Sequence, residues 1–292
     1  MANILISGSY GQLGQALLAA ASEFPAHKLW GYDLDQMDIC QIETVKDKLQ
    51  KHRADVLINC AAYTAVDAAE EHREAAQALN VQAVGALTEL CRSTGLLFVH
   101  ISTDYVFDGQ SHQPYTENDV SNPLSVYGAS KRAGELLALA YPRSLVIRTS
   151  WLYAPGGKNF VNTMLRLGHE RPSIKVVNDQ RGVPTYAPDL ARAILQNIEH
   201  DGKILEAARC GLYHYCNHGQ CSWYEFACKI KEYTGFPADV HPIASADYPA
   251  TAPRPSYSVL STQKMQKAFG LQIPPWEDGL RRMLQAQTPS SV

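Results

Sequence analysis

Apolar residues in this chain gather into short solid runs, and the segments between the runs are longer and read as helical. Asn3 to Ser7, Lys28 to Asp33, Asp55 to Asn59, Leu96 to Ser102 and Ser144 to Arg148 are the runs, and each predicts a strand. Gln12 to Phe24, Gln41 to His52, the alanine-rich Asp67 to Thr94 and Val126 to Ala140 lie between them and predict helices. Short apolar strands alternating with helices indicate a parallel sheet with helices on both faces. Right-handed crossovers then give an α/β fold of the Rossmann type, a doubly wound parallel sheet.

Beyond Trp151 the rhythm breaks. Pro155-Gly156-Gly157 predicts a loop, Asn159 to Gly168 a helix, Ile174 to Asn178 a strand and Asp179 to Pro184 a second loop. Ala187 to Ile198 reads as a helix and Gly211 to Cys216 as a strand. Ser222 to Thr234 reads as a helix with a Ser222 cap and Glu225 at the capping-box position. The remainder reads as short pieces, with Pro253 and Pro255 around Arg254, and Thr288 to Val292 as a frayed end. The expected division is a dinucleotide-binding domain over 1–150, rejoined by parts of 184–217, and a smaller C-terminal substrate-binding lobe from 151–183 and 218–292.

Composition narrows the function classes. The chain has 292 residues, 46% hydrophobic and 19% charged, as an ordinary globular protein has. A net charge of −3 offers no basic field to nucleic acid. No apolar run reaches the roughly 18 residues that a membrane span needs. Met1-Ala2-Asn3 leads into Ile4-Leu5-Ile6 with no basic stretch, so no secretory signal is read and the cytoplasm is the expected location. Seven cysteines, with no Cys-x-x-Cys, argue against a disulfide framework. His214, Cys216, His218 and Cys221 invite a zinc reading, but their spacing matches no structural zinc motif, and a strand end followed by a loop is the simpler reading. Cys60, beside an apolar strand, reads as a small core residue.

The candidate chemistry lies at the strand ends. Gly8-Ser9-Tyr10-Gly11-Gln12-Leu13-Gly14 follows a strand and opens a helix. Such a turn brings backbone close to a pyrophosphate and aims a helix N-terminus at its charge. Asp33 ends the second strand, where a carboxylate accepts hydrogen bonds from adenine ribose hydroxyls and repels a 2′-phosphate. No Arg or Lys lies between Gly8 and Gln15, nor after Asp33 until Lys46, so NADH is expected to be favoured over NADPH. Asp38 and Ile39 are candidates for the adenine. Ala61-Ala62-Tyr63 is a candidate wall for the dinucleotide, with Tyr63 equally readable as a plain loop aromatic.

Tyr127 and Lys131 stand at i and i+4 of a helix and share a face. A ketone reduced by hydride needs a proton on its oxygen. A tyrosine, with a pKa near ~10, serves better if a nearby ammonium lowers that value. Lys131 is the candidate for this, and for holding nicotinamide ribose hydroxyls. Thr103, ending the fourth strand, is the candidate to hold the carbonyl oxygen.

In this order these pieces resemble the extended short-chain dehydrogenase/reductases, and within them the dTDP-4-dehydrorhamnose reductases. The resemblance runs nearly end to end. Beside the glycine turn it covers Asn59 to Asp67, Ser102 to Phe107, Pro123 to Lys131, Arg148 to Tyr153, Asn178 to Gln180, Pro184-Thr185 and Ala252 to Pro255. It implies hydride delivery from NADH or NADPH to C4 of dTDP-4-dehydro-β-L-rhamnose, giving dTDP-β-L-rhamnose. Tyr127 would be the proton donor, assisted by Lys131 and Thr103. Val66, Asp104, Trp151 and Arg254 would surround the sugar nucleotide, with Arg254 suited to the diphosphate. Trp151 also reads as core packing, and Arg254 as a surface arginine. Some members of the family place a glutamate after the third glycine, where it helps hold Mg2+ at a homodimer contact. Here Gln15 stands there, a poor ligand for a hard cation, which puts the metal and that dimer mode in doubt. Three alternatives compete. A dehydratase would carry Asp-Glu after the threonine, but Tyr105 follows Asp104. A GDP-sugar epimerase-reductase would need a second acid/base residue. A non-catalytic regulatory subunit would bind a dinucleotide and a partner enzyme without turnover.

Overall fold

The computed structural model describes residues 1–200 and 203–287; the tail at 288–292, expected to fray, lies outside the described residues. β1 (Ala2–Ser7) leads to α1 (Gln12–Ala19), and β2 (His27–Tyr32) to α2 (Ile42–His52). β3 (Val56–Asn59) leads to α3 (Val66–Glu71), α4 (Arg73–Gln77) and α5 (Ala83–Thr94). β4 (Leu97–Thr103) leads to α6 (Val126–Leu139) and then to β5 (Ser144–Thr149). Next come β6 (Leu152–Tyr153), α7 (Phe160–Glu170), β7 (Ser173–Val177), β8 (Arg181–Gly182), β9 (Thr185–Tyr186) and α8 (Ala187–Ile198). β10 (Glu199–His200), β11 (Lys203–Ile204) and β12 (Gly211–His214) precede β13 (Cys221–Ser222), α9 (Trp223–Thr234) and β14 (Asp239–Ile243). α10 (Gln263–Phe269) and α11 (Trp276–Gln287) follow.

The main sheet has six strands in the order β12-β5-β4-β3-β1-β2, all parallel. This is the Rossmann-type α/β sheet that the strand-helix alternation predicts. Successive residues of a strand point to opposite faces, and each strand is apolar on both. Ile4, Ile6, Val56, Ile58, Val99 and Ile147 pack with α1 and α8 on one face. Leu5, Leu57, Phe98 and Val146 pack with α2 and α5 on the other. A separate core forms after Trp151, where Val161, Met164, Ile174, Phe226, Ile230 and Leu280 come together.

Two expectations need correction. Asp67 to Thr94 is not one helix. The backbone breaks at His72 (φ −107°, ψ 51°) and makes a π turn over Ala78–Gln82. The turn holds the fully buried Asn80, whose amide accepts from Tyr63 N (2.9 Å) and donates to Tyr63 O (3.1 Å) and Ser130 Oγ (2.9 Å). Side-chain bonds of this kind are what a regular helix would forgo. The stretch read as short pieces contains two helices, α10 and α11. Trp276, Leu280 and Met283 supply the buried stripe of α11 at helical spacing.

α6 is fixed to the sheet by a fully buried ion pair. Arg148 Nε and Nη2 each lie 2.8 Å from a carboxylate oxygen of Glu135. Ser121 Oγ accepts from Arg148 Nη2 at 3.0 Å. His214 Nδ1 donates to Tyr115 O (3.1 Å), so its Nε2 accepts from Arg148 Nη1 (3.3 Å). Burial first, and then the Arg148 charge, pushes His214 down to about 3, which keeps the ring neutral for that role. Arg148→Met leaves a buried carboxylate with only Arg132 beside it. We expect urea denaturation to register a loss of about 3–5 kcal/mol. Glu135→Gln/Arg148→Met should lose clearly less; equal losses would mean that the stranded charge is not the cause.

Candidate active site

From β1 the chain moves to β2 on one side, and β3 lies on the other, so a crevice opens at the carboxyl ends of these strands. A cavity of about 930 Å³ occupies it. Its first end is the glycine turn. Gly8 has φ 70°, and a Cβ there would lie 2.6 Å from the Ala61 amide nitrogen, so only glycine fits. Gly11 caps α1 without a side chain, which leaves the free N–H groups of that turn facing the cavity beside Gly14. Asp33 is held by Tyr10 N on one oxygen (2.8 Å) and Leu34 N on the other (2.9 Å). Asp38, Ile39, Ala61, Ala62 and Leu13 line the same end, together with Met37, which the sequence reading did not single out.

The second end holds the titratable groups. The Ser125 hydroxyl caps α6 by accepting from Gly128 N (3.1 Å). Tyr127 and Lys131 then fall on the face of α6 turned to β4, at 8% and 2% exposure. The Thr103 hydroxyl is near enough to the Tyr127 phenol to draw its pKa down. Thr103 Oγ1 donates to Asp104 Oδ1 at 3.1 Å and accepts from Tyr105 N at 3.2 Å. Lys131 Nζ donates to Ile101 O at 2.6 Å.

The expectation that Lys131 lowers the tyrosine pKa is not met here. Burial pushes Tyr127 up to about 12, the Thr103 hydroxyl opposes this, and the nearby Asp104 charge adds to it. The ammonium is aimed at a strand carbonyl rather than at the phenol, which is the physical reason. Burial also lowers Lys131 to about 8 against the pull of Glu135, and raises Asp104 to about 6 against the hydroxyls of Ser258 and Thr103. Between those two values the site holds a neutral phenol, an ammonium and a carboxylate. That set donates a proton to an oxygen that is gaining charge.

Val66, Asp104 and Trp151 line the cavity, and Trp151 also packs against the second core. Tyr63 and Arg254 do not. Tyr63 is turned into a separate surface groove with its backbone held by Asn80. Arg254 forks onto Asp67, with Nη2 to Oδ2 at 2.6 Å and Nη1 to Oδ1 at 3.1 Å, and this ion pair engages its guanidinium. Sequence reasoning missed Ser102 and Thr149 as individual residues. Their hydroxyls, with Asp104 Oδ2, are buried at the cavity wall without hydrogen-bond partners. Orphaned polar atoms at such a wall are suited to a polar ligand. Trp223 was missed too, since nothing local to it in the sequence points 72 positions back to Trp151. Gln15 donates to Tyr10 O at 2.7 Å, so its amide nitrogen is committed to the glycine turn.

A family model described as RmlD substrate binding domain matches residues 1–288. The chain belongs to that family. It is 39% identical to dTDP-4-dehydrorhamnose reductase of Aggregatibacter actinomycetemcomitans, over 97% of this chain and 98% of the relative. It is 38% identical to the spore coat polysaccharide biosynthesis protein SpsK of Bacillus subtilis, over 99% of each chain. A solved structure of dTDP-4-dehydrorhamnose reductase from Bacillus anthracis, in complex with NADP, is similar at a TM-score of 0.90 and 39% identity, covering 98% of this chain and 99% of that one. The dTDP-glucose 4,6-dehydratase of the same organism, at 19% identity and a TM-score of 0.80, shares the fold. Among the described residues no helix is long and apolar enough to cross a membrane.

Proposed function

We propose that this chain reduces the C4 ketone of dTDP-4-dehydro-β-L-rhamnose to dTDP-β-L-rhamnose in the cytoplasm, the last step of dTDP-rhamnose synthesis. The observation that carries the proposal is that one cavity joins a glycine turn fit for a pyrophosphate to the side chains of Thr103, Tyr127 and Lys131. The names of its relatives in the same family supply the sugar. The residues at the glycine end fit a dinucleotide, because a Cβ at Gly8 would fill the space that close backbone approach needs. A reduced nicotinamide, when bound, supplies the hydride. Tyr127 gives its phenolic proton to O4, and Thr103 holds that oxygen. Lys131, still an ammonium below about pH 8, steadies the ribose hydroxyls and the charge left on the phenol. Asp104 accepts a sugar hydroxyl with its unpartnered oxygen. Arg254 is the candidate for the diphosphate; Asp67 engages its two Nη atoms and also accepts from Thr251 N and Ala252 N, which ties the 251–254 loop in place. No step is given to Mg2+, because the Gln15 amide offers a hard cation one neutral oxygen.

The retained donor set favours an enzyme over a dinucleotide-binding regulatory subunit. Tyr127→Phe should lower kcat by about 10²- to 10⁴-fold in NADH oxidation with the keto-sugar, while NADH still binds by fluorescence. Wild-type protein that binds NADH and oxidises none of it with this substrate would overturn the assignment.

The same groups set the pH profile. Lysine keeps its charge below its pKa and loses it as pH rises; Asp104 gains its charge as pH rises. The profile of kcat/KM should therefore be bell-shaped, with limbs near pH 6 from Asp104 and near pH 8 from Lys131, as burial sets them at about 6 and about 8. Asp104→Asn should remove the acid limb alone, and an unchanged acid limb would remove Asp104 from the account.

We further propose that NADH is the better cofactor, because Asp33 stands at the end of β2 and the cavity wall beside it carries no cation; Lys131 and Lys158 lie elsewhere along it. Asp33→Ala should lower kcat/KM for NADH by about tenfold or more, the loss of a charged hydrogen bond, and should raise that for NADPH. Equal losses for both cofactors would show that Asp33 only supports the glycine turn.

A further inference from the structure

We propose that Trp223 is a specificity-determining residue: stacked on Trp151, it makes the apolar wall that takes the methyl side of a 6-deoxysugar. This rests on the reductase reading above. Trp151 has φ 44°, a left-handed backbone that a bulky residue adopts at a cost of about 1–3 kcal/mol and keeps only where its surroundings impose it. The surroundings are specific. One side of its indole lies against Gly182, where a Cβ would come within 2.5 Å of Trp151 Cε2. The other side stacks on Trp223, with centroids 3.5 Å apart and planes 10° from parallel. Trp223 is itself pinned. It is the first residue of α9, whose Ser222–Glu225 capping box is complete, and Phe160 packs on its ring at 4.6 Å. The two indoles therefore form one rigid plate.

That plate lines the same cavity as Thr103, Asp104 and Tyr127. The chemistry of the sugar then fixes its orientation. C4 must face Tyr127. Its two neighbours are C3, which carries a hydroxyl, and C5, which carries a methyl. The unpartnered Asp104 oxygen takes a hydroxyl. Two stacked indoles offer a methyl apolar contact and offer a C6 hydroxyl no acceptor and at most an indole N–H. A hydrophobic wall of this kind discriminates a methyl from a hydroxymethyl by at most about 100-fold.

The test is calorimetric titration of wild type, Trp223→Ala and Trp223→Phe with dTDP-β-L-rhamnose, with its C6-hydroxymethyl counterpart dTDP-β-L-mannose, and with dTDP. Wild type should prefer the rhamnose compound by about tenfold or more. Trp223→Ala should lose most of that preference and leave dTDP and NADH affinity unchanged. Trp223→Phe should recover part of the preference. The stacked pair should also give an exciton couplet in circular dichroism that disappears in both variants, and retained NADH affinity reports that they are folded. An unchanged preference in Trp223→Ala, or equal weakening of all three ligands, would overturn the proposal. Failure of wild type to bind dTDP-rhamnose, with NADH bound normally, would instead sink the reductase assignment on which it rests.

Discussion

The site depends on where α6 comes to rest on the sheet. Tyr127, Lys131 and Glu135 follow one another at spacings of four, so they form one stripe of polar groups on a helix face that is otherwise buried. Each costs free energy to bury and each is met by a partner on the sheet side: Thr103, the Ile101 carbonyl and Arg148. The Glu135–Arg148 pair is the strictest of the three. It joins two fully buried charges in a two-point geometry, and any rotation or slide of α6 would strip Arg148 of its counter-charge and leave Glu135 only Arg132 of its own helix. The phenol and the ammonium inherit their positions from it. The π turn before α5 serves the same end, since Asn80 reaches across to Ser130 of α6.

Among the bonds that tie the second part of the chain to this frame, two lie beside the cavity. Asn159 Nδ2 donates to Gln12 Oε1 at 3.0 Å, linking the start of α7 to the glycine turn. Asp67, at the start of α3, accepts from Thr251 N, Ala252 N and both Arg254 Nη atoms. One tie lies at the glycine turn and the other at the start of α3, next to Val66 of the cavity wall. The two indoles line that cavity with Thr103 and Tyr127, although none of the four is near another in sequence except through the fold.

The sheet was legible because a strand buried on both faces leaves an apolar run that polar loops cannot imitate. The glycine turn and the Tyr127–Lys131 pair were legible because their chemistry is local: a strand, a turn and a helix in one case, one helical turn in the other. The helices α10 and α11 were not, because short apolar stripes such as Trp276, Leu280 and Met283 are diluted by charged neighbours and follow prolines. Trp223 was hidden for a different reason. Its partner is on another element, and its meaning lies in a stacking distance that no spacing encodes. Arg254 was legible as a cation, but its engagement by Asp67 across the fold was not.

Burial decides the direction in which the site is poised. A solvated tyrosine beside a lysine would be drawn toward phenolate, the form that accepts a proton. Here desolvation outweighs the neighbouring charges, keeps Tyr127 protonated and draws Lys131 toward neutrality. The protonated phenol is the acid that an alkoxide needs. Asp104, one residue beyond Thr103, works in the same sense, because its charge opposes ionisation of the phenol. The arrangement therefore holds the tyrosine in the form that gives a proton, beside a carboxylate that opposes its ionisation.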